Sequence, residues 1–262
     1  MHYNWNWRIF WELSPDGVHT YWDTLLSGLA WTLATSLAGW VIALALGISV
    51  GTLRTAPNRW LRRLAICWVE VFRNIPLLVQ MFLWFFVLPE LLPRAAGDWL
   101  KALPNAPFVT AVLCLGFFTS ARVAVQVAAG INALAGGQRL AAMALGLSRA
   151  QTYRYVLLPL GLRIVLPPLA SEFLNIIKNS SVALTIGLME LTASARSMQE
   201  FSFQFFEAFA AATMIYLLAN LLVVAGMTLL ERRLALRGTL GDNRSDDDGS
   251  AHAGARAVGR AN

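Results

Sequence analysis

Arg122 stands inside FFTSARVAVQV, a run of apolar and small residues. A guanidinium offers planar, paired donors that match a carboxylate. An ionisable group inside an apolar run of membrane length marks a functional site. Two acids elsewhere in apolar surroundings, Glu172 and Glu70, could instead neutralise it. Arg122 is therefore either a contact for an acidic solute or half of a structural ion pair. Gln80, Gln126, Glu172 and Asn175 are further polar groups within apolar segments and candidate lining for the same path. Arg73, Asn74 and Pro76 suit a break at the start of one segment, because proline removes a backbone donor and kinks a helix. Lys178, Ser180 and Ser181 mark a helix junction near the path. The histidines, at positions 2, 19 and 252, lie outside the apolar runs and beside no plausible nucleophile. The sequence carries no zinc-ligand spacing, phosphate loop or aromatic-basic RNA motif.

The elements that must hold these groups are long apolar helices. Hydrophobic residues make up 57% of the chain and charged residues 14%, where soluble domains carry about 25% charged. Apolar stretches fall at about 25–53, 67–88, 108–131, 164–189 and 209–230, each near the roughly 20 residues that span hydrocarbon. This pattern predicts an all-α polytopic membrane protein with five transmembrane helices. The fourth stretch is interrupted by Pro167, Pro168, Glu172, Asn175, Lys178 and Asn179, which reads as a short approach helix followed by a broken or cavity-facing span.

Charge placement orients the spans. Arg54, Arg59, Arg62 and Arg63 follow the first, Arg139, Arg149, Arg154 and Arg163 follow the third, and Arg232, Arg233 and Arg237 follow the last. The opposite side balances its few cations with Glu12, Asp16, Asp23, Glu90, Asp98, Glu190, Glu200 and Glu207. The positive-inside rule puts the N-terminus outside and the C-terminus in the cytoplasm. The net charge of +6 is thus explained by topology, and no nucleic-acid partner is expected. Residues 1–24, with Trp5, Trp7, Trp11 and Trp22, form an outer interfacial segment with no cleavable signal peptide; 25–230 form the membrane domain; 231–262 form a tail, disordered from about 239. Cys67 and Cys114 read as small buried hydrophobes rather than a disulfide.

Residues 136–168, GGQRLAAMALGLSRAQTYRYVLLPLGLRIVLPP, mix polar and apolar residues at helical spacing around Gly146, closed by Leu157, Leu158 and Pro159. This suits a short helix docking into a partner, or an interfacial amphipathic helix with none. The segment resembles the cytoplasmic signature of bacterial ABC importer permeases, which runs Glu-Ala-Ala, three residues, Gly, and ends near Leu-Pro. Ala141, Ala142, Gly146, Leu158 and Pro159 match it, and Leu140 occupies the Glu position. RNIPLLVQ at 73–80 and KNSSVALTIGLMEL at 178–191 resemble stretches of amino acid permeases, and GGQ at 136–138 looks like the polar amino acid subclass. YNWNWRIFW, PNRW and PELLP are similar to the glutamate/aspartate type.

The resemblance implies a type I ABC importer permease fold in a bacterial inner membrane. It implies no cofactor on this chain, with ATP used by separate ATPase subunits. Expected partners are those ATPases, a second permease subunit or another copy, and a periplasmic amino-acid-binding protein. Coupling would run through the region about 136–160, with Gly146 allowing a turn or close backbone approach and Tyr153 and Arg154 reaching the ATPase; Arg154 is equally explained as a positive-inside residue. A secondary transporter or channel, and a membrane assembly protein that transports nothing, are the rival classes.

Overall fold

The computed structural model describes residues 3–134 and 136–234. The tail beyond 234, including the stretch expected to be disordered, lies outside the described residues. After a single 3-10 turn at Trp7–Trp11, the first long helix, α1, covers Tyr21–Arg54. Its start is fixed by a capping box: Thr20 Oγ1 accepts from Asp23 N (3.2 Å) and the Asp23 carboxylate accepts from Thr20 N (3.0 Å). There follow α2 (Arg59–Asn74), α3 (Leu77–Leu91), α4 (Arg94–Lys101), α5 (Ala106–Ala133), α6 (Gly136–Ala144), α7 (Arg149–Ile186), α8 (Leu191–Ser202) and α9 (Phe205–Leu234).

Among the described residues, four continuous helices are long and apolar enough to cross a membrane: α1, α5, α7 and the Phe205–Leu229 part of α9. The expected second span differs from the sequence reading. It is a pair, α2 and α3, bent by 100°. The bend has a local cause. Pro76 disfavours a helical residue before it, and Ile75 is extended at φ −92°, ψ 128°. The break leaves carbonyls at the end of α2 without helical donors. Gln80 supplies one donor group for two of them, Nε2 donating to Phe72 O and Ile75 O, each at 2.9 Å.

Two other expectations need correction. Leu158–Pro159 does not close the connector; α7 runs from Arg149 straight through it to Ile186. Nor do Pro167 and Pro168 break the fourth span, for both lie inside the helix. The chain absorbs Pro159 with a widened turn at Tyr153–Leu157, in which Leu158 N donates to Tyr153 O, five residues back. The same device precedes Pro89, where Leu88 N donates to Leu83 O. Widening the turn before a proline makes room for a ring that would otherwise collide with the preceding carbonyl. The continuity of α7 is enforced by packing: Val165, Leu169, Phe173, Ile176 and Ile177 are all buried.

The core is the contact of α1, α5 and α7. Small residues let these backbones approach. A Cβ on Gly51 would fall 2.7 Å from Val127 Cβ, and one on Gly130 would fall 2.7 Å from Gly161 O. The order of contacts also fixes direction. Gly39 meets Val112 and Leu115, Gly47 meets Ser120 and Val123, and Gly51 meets Ala124 and Val127. Helices α1 and α5 therefore run parallel, while α7 runs against both, pairing Gly161 with Gly130 and Ile176 with Gly39. A second apolar cluster, with Leu25, Leu191, Met198 and Ala212, joins α8 and α9 to the Tyr21 end of α1.

Candidate functional site

The polar groups of α5 and α7 are placed on two helix faces by spacing alone. Phe118, Arg122 and Gln126 recur every four residues and are each part-exposed. On α7, Ser171, Asn175 and Lys178 sit on successive turns; Ser171 and Lys178 are exposed and Asn175 part-exposed. Glu172 links the two helices. Its Oε2 lies 3.4 Å from Arg122 Nε, with Glu172 9% exposed and Arg122 42% exposed. That oxygen is buried and has no hydrogen-bond partner among the described residues. The Arg122 guanidinium also lies over the Phe118 ring, 5.9 Å from its centroid. Of the two acids that sequence offered to Arg122, the structure selects Glu172. Glu70 instead accepts from Asn74 Nδ2 at 2.8 Å. A row of uncovered polar side chains on membrane-length helices cannot face hydrocarbon cheaply; it needs water, a solute or another polypeptide beside it.

Other polar candidates serve the backbone. Gln80 is buried and spends its amide nitrogen on the α2–α3 break. Asn74 bonds back to Glu70, while Arg73 and Pro76 are exposed at the break. Ser180 and Ser181 donate to Ile177 O and Lys178 O at 2.8 and 2.7 Å, within a final 3-10 stretch of α7 that ends at Gly187.

At the Arg54 end, the segment 136–160 folds as helix, turn, helix. Gly146 takes the left-handed conformation (φ 85°) and closes α6, with Leu147 N donating to Ala142 O and Gly146 N to Met143 O. Ser148 then opens α7 with a second capping box, exchanging bonds with Gln151. Ala142 is buried, whereas Ala141, Leu140, Met143, Leu145 and Arg154 are exposed. Tyr153 turns inward, donating its hydroxyl to Thr55 O at 2.6 Å just past the end of α1. Arg154 lies over Tyr155 (5.8 Å), Leu158 is part-buried and Pro159 exposed. A cleft of about 460 Å³ separates this segment from α2, lined by Thr55, Arg62, Arg139, Met143 and Arg149 among others.

Sequence reasoning missed a carboxylate network at the Tyr21 end. Glu190, read as a surface charge, is fully buried. It accepts from Ala193 N (2.8 Å), Thr192 N (3.0 Å) and Tyr216 Oη (2.8 Å), capping α8 and fastening α9 to it. Thr32 of α1 completes the junction by accepting from Leu191 N at 3.1 Å. Glu207 is buried nearby and holds the N-terminal segment through Tyr3 Oη and Asn6 N. The only sequence signal was an acid directly before a helical stretch, and the distant partners Thr32 and Tyr216 gave none.

Known proteins resemble this chain over most of its length. The family model described as binding-protein-dependent transport system inner membrane component matches residues 24–236. The chain is 46% identical over 244 residues to the glutamate/aspartate import permease protein GltJ of Escherichia coli (strain K12), covering 92% of this chain and 99% of the relative. It is 32% identical over 231 residues to the glutamine transport system permease protein GlnP of the same strain, covering 88% and 98%. The crystal structure of an amino acid ABC transporter with histidines matches with a TM-score of 0.70 at 30% identity, over 81% of this chain and 95% of that one. An inward-facing form of the MetNI methionine ABC transporter matches at 17% identity with a TM-score of 0.69, over 86% and 100%, and shows the shared fold. The chain belongs to the binding-protein-dependent transport system inner membrane component family: it is a multi-pass inner-membrane permease subunit, not an enzyme.

Proposed function

We propose that this permease serves an ATP-driven importer of acidic amino acids, glutamate and aspartate. Arg122 carries the substrate class. It is the cation on the uncovered polar face of α5, and a guanidinium in a low-dielectric path favours a carboxylate over a neutral side chain. The likeness to a glutamate/aspartate import permease points the same way. Gln126, Glu172 and Asn175 line the path beside Arg122, with Lys178 at its junction. Gln80 supports the path by holding the α2–α3 bend.

The chain would cross the membrane five times, with residues 1–24 outside and 231–262 in the cytoplasm. Two parallel neighbours, α1 and α5, require the intervening chain to return across the bilayer, and the bent pair α2–α3 is what lies between them. The Arg54 end of α1 and the end of α5, which is followed by Arg139, Arg149 and Arg154, then face the cytoplasm. Burial of Glu190 removes one charge from the outer side without altering that bias.

The turn at Ala141, Ala142 and Gly146 would present Leu140, Met143 and Leu145 to an ATPase groove, with Arg154 beside them. Tyr153 would pass the movement on, because its hydroxyl is fixed to the end of α1. Leu158 and Pro159 would carry it into α7. The complete importer would contain two ATPase subunits, a second permease subunit or another copy of this chain, and a periplasmic binding protein. ATP is consumed by the partners.

Reconstituted with those partners, the chain should take up glutamate and aspartate only when ATP is present. Arg122→Gln should impair both acids more than glutamine. Uptake by this chain alone without ATP would contradict the importer reading, and equal loss of acidic and neutral uptake would remove Arg122 from substrate selection.

A further inference from the structure

Glu172 is held in an unusual state. It is nine-tenths buried, yet its one charged contact is a 3.4 Å approach to Arg122 Nε, and the same oxygen accepts no hydrogen bond. A carboxylate built to stabilise the bundle is expected to take several donors or a bidentate pair. Arg122 is correspondingly half-exposed, and among the described residues Glu172 is the only acid within ion-pair distance of it. The pair therefore satisfies the charge of each side chain while leaving much of their hydrogen-bonding capacity unused.

We infer that Glu172 is the resident stand-in for the acidic substrate: it occupies Arg122 when the path is empty and is displaced by the substrate's side-chain carboxylate. This rests on Arg122 being the substrate contact. The loose geometry suits the role, since a tight bidentate pair would resist exchange and no pair at all would leave a bare guanidinium in the membrane. Exchange of one carboxylate for another keeps Arg122 neutralised in both states. A neutral amino acid brings only its α-carboxylate, so it cannot both displace Glu172 and keep that group for another contact, whereas glutamate and aspartate can. Glu172 thus sharpens selection for acidic over neutral solutes, at the cost of weaker binding, because the apparent affinity falls by the fraction of time Arg122 is free.

The test is equilibrium binding of glutamate and glutamine to the full permease assembled with its ATPase, without the binding protein, in wild type, E172Q, E172D, R122Q and R122Q/E172Q. If Glu172 holds Arg122 about nine-tenths of the time, E172Q should bind glutamate about tenfold more tightly, with glutamine little changed. E172D, which keeps the charge on a shorter stem, should fall between, and decides the matter if E172Q does not assemble. In the R122Q background, E172Q should have no further effect on glutamate. Weaker glutamate binding in E172Q and E172D, with R122Q still losing its preference for glutamate, would overturn the stand-in role and leave Arg122 as the substrate contact. Unchanged glutamate preference in R122Q would overturn both.

Discussion

Glu190 and Glu172 are both buried acids in an apolar bundle, and they are treated in opposite ways. Glu190 accepts from two backbone amides and a tyrosine hydroxyl, all within 3.0 Å. Glu172 has a single loose contact and an oxygen with no hydrogen bond. Burying a charge is costly unless partners replace the lost water. Where all partners are supplied, as at Glu190, the charge fastens α1, α8 and α9 together. Where supply is incomplete, as at Glu172, the side chain can change partners. The Tyr21 end of the molecule is thus a fixed joint, and the Arg122–Glu172 contact between α5 and α7 is left under-bonded.

Removing the joint should have the largest effect. Glu190→Leu leaves the Thr192 and Ala193 amides without their acceptor and takes one partner from Tyr216 in an apolar interior, and should cost about 3–5 kcal/mol. Thermal unfolding of the purified permease in detergent measures it, with Glu190→Gln recovering part of the loss. Gln80 lies between the two acids in character, since its nitrogen serves two carbonyls while its Oε1 has no partner. Gln80→Ala should cost about 1–3 kcal/mol and loosen the α2–α3 bend, read as faster amide exchange around Ile75. Glu172→Gln should cost under about 1 kcal/mol, since its partner is 42% exposed and the contact is long, while changing substrate binding as argued above. If Glu172→Gln destabilised the protein as much as Glu190→Leu, the contrast would fail.

The smallest effect is at the surface. Asp16 accepts from His19 N, Val18 N, His19 Nδ1 and Ser14 Oγ, which hold its carboxyl well below the usual carboxylate range. A lowered value means that the folded loop favours the charged form. Its contribution is full above the ordinary carboxylate pKa of about 3.9 and is lost as pH falls through the lowered one. Amide exchange at Val18 and His19 should therefore stay slow relative to Asp16→Asn down to about pH 4, and the two should converge on further acidification.

How much of this was legible in the sequence depended on whether the cause was local. Apolar run length, the break at Pro76 and the turn at Gly146 are local, and each is visible in the sequence. The continuity of α7 was not, because Pro167 and Pro168 read as breaks while the burial of Val165, Leu169 and Phe173 holds the helix together. Glu190 was misread for a similar reason. An acid in a connector looks solvated until Thr32 and Tyr216, 158 and 26 residues away, are seen to meet it. The Arg122–Glu172 pair was readable only as one of two choices, since composition cannot rank two acids that both lie in apolar surroundings.

The central claim is that the polar face of α5 and α7 borders a solute path. It can be tested by thiol labelling of the assembled importer. Cys67, contrary to the burial expected from sequence, is exposed and would be replaced by Ser, while Cys114 is buried and can stay. Single cysteines, Q126C and N175C, would then be treated with a small, charged, membrane-impermeant reagent. Labelling at both positions, slowed by glutamate and not by glutamine, is the result the account predicts. No labelling at either position from either side of the membrane would show that this face is sealed against lipid or protein, and would contradict it.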